Sequence, residues 1–327
     1  MEYRKLGNSG VRISALSLGS WLTFGKLISN ETAEELMITA YEAGINFFDN
    51  AEIYARGKSE IVMGEILHKQ NWDRSSYLVS SKVFFGTGDA KPNQNGLSRK
   101  HVVEGCHAAL KRLQVEYLDF LFCHRPDEQT PIEETVWTMH NLIQQGKILY
   151  WGTSEWNASE IMEAHLVARQ HHLIAPVMEQ PQYNMFTREK MEKEFLHLFT
   201  HHGLGTTIWS PLASGILSGK YLDGFPDSTR LGAAGLEWLK DRWYREDLLG
   251  KTKKIKAIAD ELNIKLPQLA LAWCLKNPYV STVILGASNV NQLKENLHAT
   301  EVQSLLTENV MEEIEKILQN KPVQPEY

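Results

Sequence analysis

Residues 44–54 read GINFFDNAEIY and combine a helix end, a strand and two polar side chains in one short stretch. Gly44 follows an amphipathic segment, a position where glycine is typical of a helix C-terminus. The apolar run at 45–48 predicts a buried strand. Asp49 follows that run directly, and Tyr54 lies five residues further on. The stretch therefore predicts a strand with a carboxylate at its carboxyl end and a phenol in the loop after it.

Two other apolar runs end in a similar way. Lys82 follows the run at 77–81, and His124 follows the run at 118–123. If these runs are parallel strands of one barrel, their carboxyl ends lie at one mouth, where the active sites of such barrels are found. A carboxylate, a phenol, an ammonium and an imidazole would then converge. Together they predict a proton-transfer site.

Strand-like and helical segments alternate along the chain. A hairpin is predicted first, at 3–6 and 11–14, around the turn Asn8-Ser9-Gly10. Eight strand–helix units follow, which favours an α/β fold of the closed (β/α)8 TIM-barrel type, in a single domain covering residues 1–327. The predicted barrel strands are residues 16–18, 45–48, 77–81, 118–123, 148–151, 177–179, 205–209 and 282–284.

Capping residues and apolar spacing predict the helices. Ser29 or Asn30 opens the first helix, Ser98 the third, and Pro131 the fourth with Thr130 as its N-cap. Further barrel helices are predicted at 60–68, 159–170 and 190–201, and one begins at Ser288 or Asn289. Extra helices are predicted between the last two strands, at 257–262 and 268–275, and at the C-terminus, at 307–318.

A doubly wound sheet is the alternative architecture. Such a sheet usually carries a glycine-rich turn with the spacing G-x-G-x-x-G after its first strand. Residues 18–25 read LGSWLTFG and lack that spacing. The barrel is therefore the favoured interpretation.

Composition and charge exclude several classes of partner. The 327 residues carry a net charge of -6, and no basic stripe indicates a nucleic-acid partner. No apolar stretch approaches the ~18 residues of a membrane span, and the N-terminus does not resemble a secretion signal. The three cysteines, Cys106, Cys123 and Cys274, are far apart and odd in number, which is typical of reduced core residues. We expect a cytoplasmic protein that does not insert into a membrane.

The strand ends also exclude several chemistries. A metal-dependent hydrolase needs clustered ligands, but the ends supply one histidine, so no metal is expected. A barrel glycosidase needs two carboxylates flanking the scissile bond, whereas Asp49 and Glu179 belong to strands on nearly opposite sides. A Schiff-base lysine must be desolvated and unpaired, and Asp49 would keep Lys82 charged.

What remains favours Tyr54 as a proton donor to a carbonyl. A free tyrosine has a pKa of about 10, too high for good acid–base chemistry near neutrality. We expect the Lys82 ammonium to lower the pKa of Tyr54, with Asp49 holding Lys82 in place. His124 can donate a hydrogen bond to the carbonyl oxygen. The protein itself offers no nucleophile, and a nicotinamide hydride is the obvious external one.

A dinucleotide would then bind at the other side of the mouth. The loop Ser210-Pro211-Leu212-Ala213-Ser214-Gly215 and the helix opening Gly286-Ala287-Ser288-Asn289 follow the last two strands, where such barrels commonly bind phosphate. Lys220 and Arg230 could clamp a phosphate. Trp209 and Tyr183 offer rings near the nicotinamide, and Trp21 could line the substrate pocket.

Structural explanations remain open for each residue alone. A buried Asp49–Lys82 ion pair explains both of those residues without catalysis, Tyr54 can be a packing residue, and His124 can cap a turn. His197 and His201 have the i, i+4 spacing of a metal site, but a solvated helix face explains them better.

Several longer motifs resemble the aldo-keto reductases. These are GINFFDNAEIY followed by GKSEIVMG, VSSKV at 79–83, HRPD at 124–127, WGTSEW at 151–156, WSPLASGILSGKY at 209–221 and LGASNVNQLKENL at 285–297. The resemblance covers nearly the whole chain. Segments such as GLSRKH, TPIEETV, EIMEAHLVARQ and LPQLALAWCLKNP resemble most closely the beta subunits of voltage-gated potassium channels.

This resemblance implies a barrel that binds NADPH (or NADP+) without a Rossmann domain and reduces small aldehydes or ketones to alcohols. Asp49, Tyr54, Lys82 and His124 match the catalytic tetrad, with Tyr54 as general acid. The residues expected to bind the cofactor are Ser20, Trp21, Asp49, Ser154, Gln180, Trp209, Ser210, Pro211, Leu212, Ala213, Ser214, Lys220, Arg230, Gly286, Ser288, Gln292, Glu295 and Asn296.

The chain departs from the channel subunits at two of these sites. His124 stands where those subunits commonly have asparagine, and it is the residue of the mainstream reductases. Glu155 stands where they have arginine. The chain begins almost at the hairpin, so no channel-plugging segment is expected. Two functions therefore compete: a carbonyl reductase, and a cofactor-sensing channel subunit, a tetramer by resemblance, with slow turnover.

Overall fold

The computed structural model describes residues 1–88, 91–224, 231 and 237–324. The chain starts with an antiparallel hairpin, β1 (Tyr3–Lys5) and β2 (Arg12–Ser14), in which Tyr3 pairs with Ser14. Its turn lies against the amino end of a barrel strand, because Asn8 N donates to the Gly203 carbonyl at 2.8 Å. The predicted hairpin is present, with each strand slightly shorter than expected.

Eight parallel strands close into a barrel. The last strand pairs with the first, through Val283 opposite Leu16, and this closure excludes the doubly wound alternative. The predicted (β/α)8 barrel is confirmed. The barrel strands are β3 (Leu16–Gly19), β4 (Phe47–Asp49), β5 (Leu78–Val83), β6 (Leu118–Cys123), β7 (Ile148–Thr153), β8 (Met178–Glu179), β9 (Gly205–Ile208) and β10 (Thr282–Leu285).

Helices surround the barrel and extend it between β9 and β10 and at the C-terminus. They are α1 (Asn30–Glu42), α2 (Lys58–Gln70), α3 (Arg99–Leu113), α4 (Ile132–Gln144), α5 (Ala158–Gln170), α6 (Glu237–Trp243), α7 (Glu246–Glu261), α8 (Leu266–Lys276), α9 (Val290–Leu297) and α10 (Glu308–Leu318). Of the described helices, none is long and apolar enough to cross a bilayer.

Three helix predictions differ from the structure in detail. The helix expected at 257–262 begins much earlier, as α7 (Glu246–Glu261). Pro131, not Thr130, occupies the N-cap position of α4, because the Thr130 hydroxyl donates instead to Asp127 Oδ2 at 2.8 Å. The helix expected at 190–201 is divided into two π-helical segments, Lys190–Glu194 and Leu198–His202. A bond from Phe195 N to the carbonyl five residues earlier widens the turn between them.

The core has two parts, and the alternation of side chains along each strand separates them. Leu121 and Cys123 of β6 point outward, into the large core between strands and helices. Phe120 and Phe122 point inward, where they pack with hairpin and strand residues such as Ile13 and Phe47. These inward residues fill the amino end of the barrel. The inward positions at the carboxyl end are left to the polar side chains of the site.

Candidate active site

Lys82 is the centre of a hydrogen-bonded cluster at the carboxyl end of the barrel. Its side chain is fully buried, and its Nζ donates to Asp49 Oδ2 at 2.6 Å, to the Asn50 carbonyl at 2.7 Å and to Tyr54 Oη at 3.2 Å. An ammonium has three hydrogens, so this geometry uses all of its donors. The structure thus brings Asp49, Tyr54 and Lys82 together, although they come from two strands and a loop.

Asp49 is fixed from several sides. Its Oδ1 accepts from Ser80 Oγ at 2.8 Å and from Gln180 Nε2 at 3.1 Å, and its backbone carbonyl accepts from Ser20 N at 3.1 Å and Ser20 Oγ at 3.0 Å. Ser80 and Lys82 reach the same carboxylate because side chains two residues apart on a strand share a face. Asp49 therefore orients the lysine rather than facing the mouth itself.

Tyr54 opens a tight turn, Tyr54–Gly57, in the loop after β4. Ala55 and Arg56 have φ of 48° and 56°, in the left-handed region that non-glycine residues rarely adopt. Strain of this kind concentrates at functional sites. The turn holds the phenol beside Lys82, with the ammonium 4.8 Å from the centre of the ring.

The pKa of Tyr54 moves in the direction opposite to the sequence prediction. Burial, and then the charge of Asp49, raise the pKa of Tyr54 well above its ordinary value, with Arg125 opposing them. Burial also lowers the pKa of Lys82, and Asp49 opposes that change. The prediction of a net fall in the tyrosine pKa was therefore wrong, because it left out desolvation, which outweighs the stabilisation of the phenolate by a nearby cation. A phenol that keeps its proton near neutral pH is nevertheless what a proton donor requires.

His124 completes the group from the end of β6. Its ring centre lies 5.9 Å from that of Tyr54 and 5.2 Å from that of Phe85, edge to face with both. Burial, and then the charges of Lys82 and Arg125, hold the pKa of His124 well below its ordinary value. The imidazole is therefore neutral near pH 7 and keeps one N–H donor. Its Nδ1 is buried without a hydrogen-bond partner in the described part of the chain.

Ser154 and Gln180 lie under the cluster, at the ends of β7 and β8. Ser154 Oγ donates to the Gln180 carbonyl at 2.9 Å, and Gln180 Nε2 also donates to Thr207 Oγ1 at 3.2 Å. Both residues are buried. Because Gln180 Nε2 also donates to Asp49 Oδ1, Gln180 joins β4, which carries Asp49, to β9 on the predicted cofactor side.

The rings of Trp209 and Trp21, which follow β9 and β3, meet edge to face, with ring centres 6.2 Å apart and planes nearly perpendicular. Trp209 Nε1 donates to Glu155 Oε1 at 2.9 Å. Glu155 also forms an ion pair with Lys190 at 3.1 Å and accepts from the Gln182 backbone at 2.6 Å. The glutamate at the position expected to differ from channel subunits therefore positions a tryptophan.

Tyr183 does not reach the mouth as predicted: it is buried and stacks on Trp273.

The loop after β9, the first of the two predicted cofactor loops, is a run of left-handed turns. Ser210, Ala213 and Ser214 have φ between 47° and 55°, and Gly215 has φ of 100°. The N–H groups of this run donate within the loop: Ala213 N to the Ser210 carbonyl at 3.0 Å, Ser214 N to Ser210 Oγ at 3.2 Å and Gly215 N to the Leu212 carbonyl at 2.8 Å. A β-carbon built on Gly215 would lie 3.2 Å from Lys220 Nζ, so the ammonium lies over this loop. Among its neighbours, Pro211 is buried and Leu212 half-buried.

The second predicted cofactor loop opens α9. Asn289 caps the helix, since its Oδ1 accepts from Gln292 N at 3.0 Å, and Gly286 and Ser288 are exposed in front of it. Ser288 N and Oγ donate to Gln292 Oε1 at 3.1 and 2.9 Å. An exposed helix N-terminus with serine, glutamine and glycine fits a phosphate ester. Arg230 lies outside the described residues.

Two predicted cofactor residues are further along α9 and have other contacts. Asn296 is buried on the inner face of the helix. Glu295 forms an ion pair with Lys265, at the start of α8. The prediction that they bind the cofactor stays untested.

Sequence reasoning missed residues that shape the site. Ser80 and the Asn50 carbonyl bind Asp49 and Lys82, and Phe85 and Arg125 lie beside His124. The alternation rule could have found Ser80, which is two residues before Lys82 on the same strand. No sequence signal gives the direction of a loop side chain such as Phe85.

The histidine pair of the sequence analysis lies away from the mouth. The rings of His197 and His201 stack with centres 4.1 Å apart, next to His202. Throughout the ranges 1–88, 91–224 and 237–324, no group of three or more His, Cys, Asp and Glu side chains is arranged to hold a metal ion.

Comparison with known proteins agrees with this geometry. The profile of the Aldo/keto reductase family matches residues 15–319. The chain is also 49% identical to a protein of Arabidopsis thaliana named "Probable voltage-gated potassium channel subunit beta", over 100% of this chain and 99% of that protein. The family profile therefore covers the closed barrel from its first strand to the last helix. The chain belongs to the aldo/keto reductase family and, with it, to the oxidoreductases.

Proposed function

We propose that the protein reduces aldehydes or ketones to alcohols with NADPH, and that Tyr54 is the general acid. The observation that carries this proposal is the chain of contacts Asp49–Lys82–Tyr54, with 2.6 Å and 3.2 Å between the bonding atoms, beside a neutral His124. A purely structural ion pair requires no phenol at its outer end.

Each residue has one task in this reaction. The neutral imidazole of His124 donates a hydrogen bond to the carbonyl oxygen and fixes its position. NADPH, when bound, supplies a hydride to the carbonyl carbon. Tyr54 gives its proton to the oxygen, and the Lys82 ammonium stabilises the phenolate that results. Asp49 keeps the ammonium in place.

The residues present fit a phosphorylated dinucleotide. The ammonium of Lys220, which lies over the turn at Ser210–Gly215, suits a pyrophosphate, and the start of α9 suits a further phosphate such as the 2′-phosphate of NADPH. Trp209 and Gln180 suit the nicotinamide. The preference for NADPH over NADH is part of the proposal, and Ser288 and Gln292 are the residues that would set it.

Tyr54→Phe tests the central role. A positioned proton donor contributes roughly 10²- to 10⁴-fold to the rate. We expect kcat for a simple aldehyde such as 4-nitrobenzaldehyde to fall by about that factor, measured by NADPH oxidation, while the NADPH affinity from tryptophan quenching stays the same.

Tyr150→Phe is the matched control, since Tyr150 packs against Phe120 toward the amino end of the barrel. Its kcat should equal that of the unchanged protein. Full turnover by Tyr54→Phe with NADPH bound would remove Tyr54 from the mechanism.

A second candidate function follows from the Arabidopsis relative and its name. The protein could serve as a cofactor-sensing subunit of a potassium channel, assembled as a tetramer, with slow turnover. Co-purification with a channel from native membranes, together with a tetramer in light scattering, favours this function. Steady turnover of simple aldehydes by the isolated protein favours the enzyme.

A further inference from the structure

Arg125 lies beside the catalytic cluster, and the proposed mechanism gives it no task. It follows His124 in the chain, and its Nη1 donates to the His124 carbonyl at 2.5 Å. The guanidinium carbon is 5.7 Å from the centre of the Phe85 ring, and that ring contacts the His124 imidazole edge to face. The guanidinium therefore lies on an aromatic wall of the mouth.

The charge of Arg125 acts on the catalytic residues directly. Burial and the charge of Asp49 raise the pKa of Tyr54, and Arg125 opposes that rise. Burial and the charge of Lys82 lower the pKa of His124, and Arg125 lowers it further. Arg125 also adds to the fall that burial causes in the pKa of Lys82. Because Coulomb interactions of this kind require proximity, its positive charge is close to three of the four tetrad residues.

Arg125 also lacks the partner that comparable arginines have. Arg74 and Arg112 are partly buried and Arg188 is buried, and each forms an ion pair with a carboxylate at 2.6–2.7 Å. Arg125 is partly buried as well, but within the described residues its one hydrogen bond goes to a neutral carbonyl. Partly buried guanidinium groups are normally paired, so the absence of a carboxylate here calls for a functional explanation.

The rest of the cluster does not neutralise this charge. Lys82 and Asp49 form an ion pair, Tyr54 keeps its proton, and His124 is neutral near pH 7. Arg125 therefore supplies the net charge at this side of the mouth. Nη1 is used by the backbone, but Nε and Nη2 remain for the two oxygens of a carboxylate, in the planar arrangement that such pairs prefer.

We propose that Arg125 binds a carboxylate on the substrate, so that the preferred substrates are aldehydes or ketones that carry a carboxylate as well as the reacting carbonyl. The carbonyl oxygen lies at Tyr54 and His124, the carboxylate at Arg125, and the body of the substrate against Phe85. This inference rests on the proposed reductase function and adds its substrate class. A charge-assisted bond in a partly desolvated mouth contributes roughly tenfold or more to binding.

A pair of substrates that differ only in charge tests it. 4-Carboxybenzaldehyde and 4-formylbenzamide have nearly the same shape, so the ratio of their kcat/KM values measures recognition of the charge. We expect a ratio of about ten or more for the unchanged protein. Arg125→Gln should bring the ratio to about one, and Arg125→Lys should keep part of it, since lysine retains the charge but not the planar fork.

Arg169→Gln is the matched control. It removes the same formal charge from an exposed position on α5, and its ratio should stay that of the unchanged protein. If Arg125→Gln keeps the ratio, or lowers kcat/KM for both aldehydes equally, Arg125 acts only through the His124 backbone and the proposal is wrong.

A binding measurement separates this inference from the reductase proposal. Calorimetry with 4-(hydroxymethyl)benzoate and 4-(hydroxymethyl)benzamide, with and without NADP+, requires no turnover. A carboxylate preference that Arg125→Gln abolishes supports the inference even if neither aldehyde is reduced, in which case the reductase proposal alone fails. Equal binding of the two alcohols by the unchanged protein overturns the inference, whatever the turnover.

Discussion

At the scale of single residues, Asp49 and Lys82 depend on each other. Lys82 is fully buried and Asp49 is 3% exposed, so Lys82→Met leaves a buried carboxylate without its cation. Removing one partner of such a pair typically costs about 3–5 kcal/mol. We expect a loss of that order in the free energy of unfolding, measured by urea denaturation, together with loss of carbonyl turnover.

The double variant Asp49→Asn, Lys82→Met tells catalysis from structure. With no unpaired charge left, it should recover much of the stability that the single variant loses, yet its turnover should stay at the low level. A double variant that reduces carbonyls normally would mean that the pair is structural only.

Glu179 gives a prediction about pH at the same scale. Burial, opposed by the Thr153 hydroxyl, raises the pKa of Glu179 from 4.5 to about 8. Because the folded state holds this proton more tightly than the unfolded chain, the stabilisation is complete below about pH 4.5 and is lost as pH rises toward 8. We expect Glu179→Gln to remove this part of the decline, of the order of a few kcal/mol, in denaturation curves between pH 5 and 8.

Glu163→Gln is the control for that measurement, since Glu163 is exposed on α5, the helix after β7. Its stability should follow that of the unchanged protein at each pH. If Glu179→Gln gives the same slope as this control, the proton on Glu179 does not contribute to folding.

At the scale of elements, the turn after β9 should control cofactor affinity. Gly215 has φ of 100°, and a β-carbon there would lie 3.0 Å from Lys220 Cε. Alanine at this position strains the turn by roughly 1–2 kcal/mol and displaces the lysine. We expect Gly215→Ala to weaken NADPH binding by about tenfold. Gly250→Ala, inside α7 where a β-carbon meets nothing within 4 Å, should leave NADPH binding unchanged.

The elements also show what the sequence can predict. The apolar runs that precede Asp49, Lys82 and His124 predicted the strands β4, β5 and β6. The strand period and the barrel geometry together fix where a residue at a strand end lies, so the three side chains could be placed at one mouth. The helix starts at Ser29, Ser98 and Asn289 were found for a similar reason, since a cap is a local hydrogen bond.

Properties that depend on tertiary surroundings were not predictable in this way. The pKa of Tyr54 is set by burial, which no local pattern gives. The hydrogen bond from Trp209 to Glu155 joins residues 54 apart in the chain. Tyr183 was placed at the mouth because it follows β8, but packing against Trp273 turns it into the core.

At the scale of the whole molecule, the barrel separates stability from chemistry. The amino end is filled by apolar residues of the hairpin and the strands, including Leu6, Ile13 and Phe120, whereas the carboxyl end carries the tetrad. In barrels of this kind the amino face serves stability and the carboxyl face catalysis. Substitutions at the amino end should therefore change stability and leave turnover intact.

Ile13→Ala tests this separation, since Ile13 is fully buried in the amino-end cluster. Loss of a buried isoleucine typically costs about 2–5 kcal/mol, and we expect that loss in the free energy of unfolding. At temperatures where the variant stays folded, kcat and the NADPH dissociation constant should be unchanged. A fall in kcat with the fold intact would show that the packing of the amino end reaches the tetrad through β4 and β5, whose inward side chains extend from the amino-end cluster (Phe47) to the site (Asp49 and Lys82).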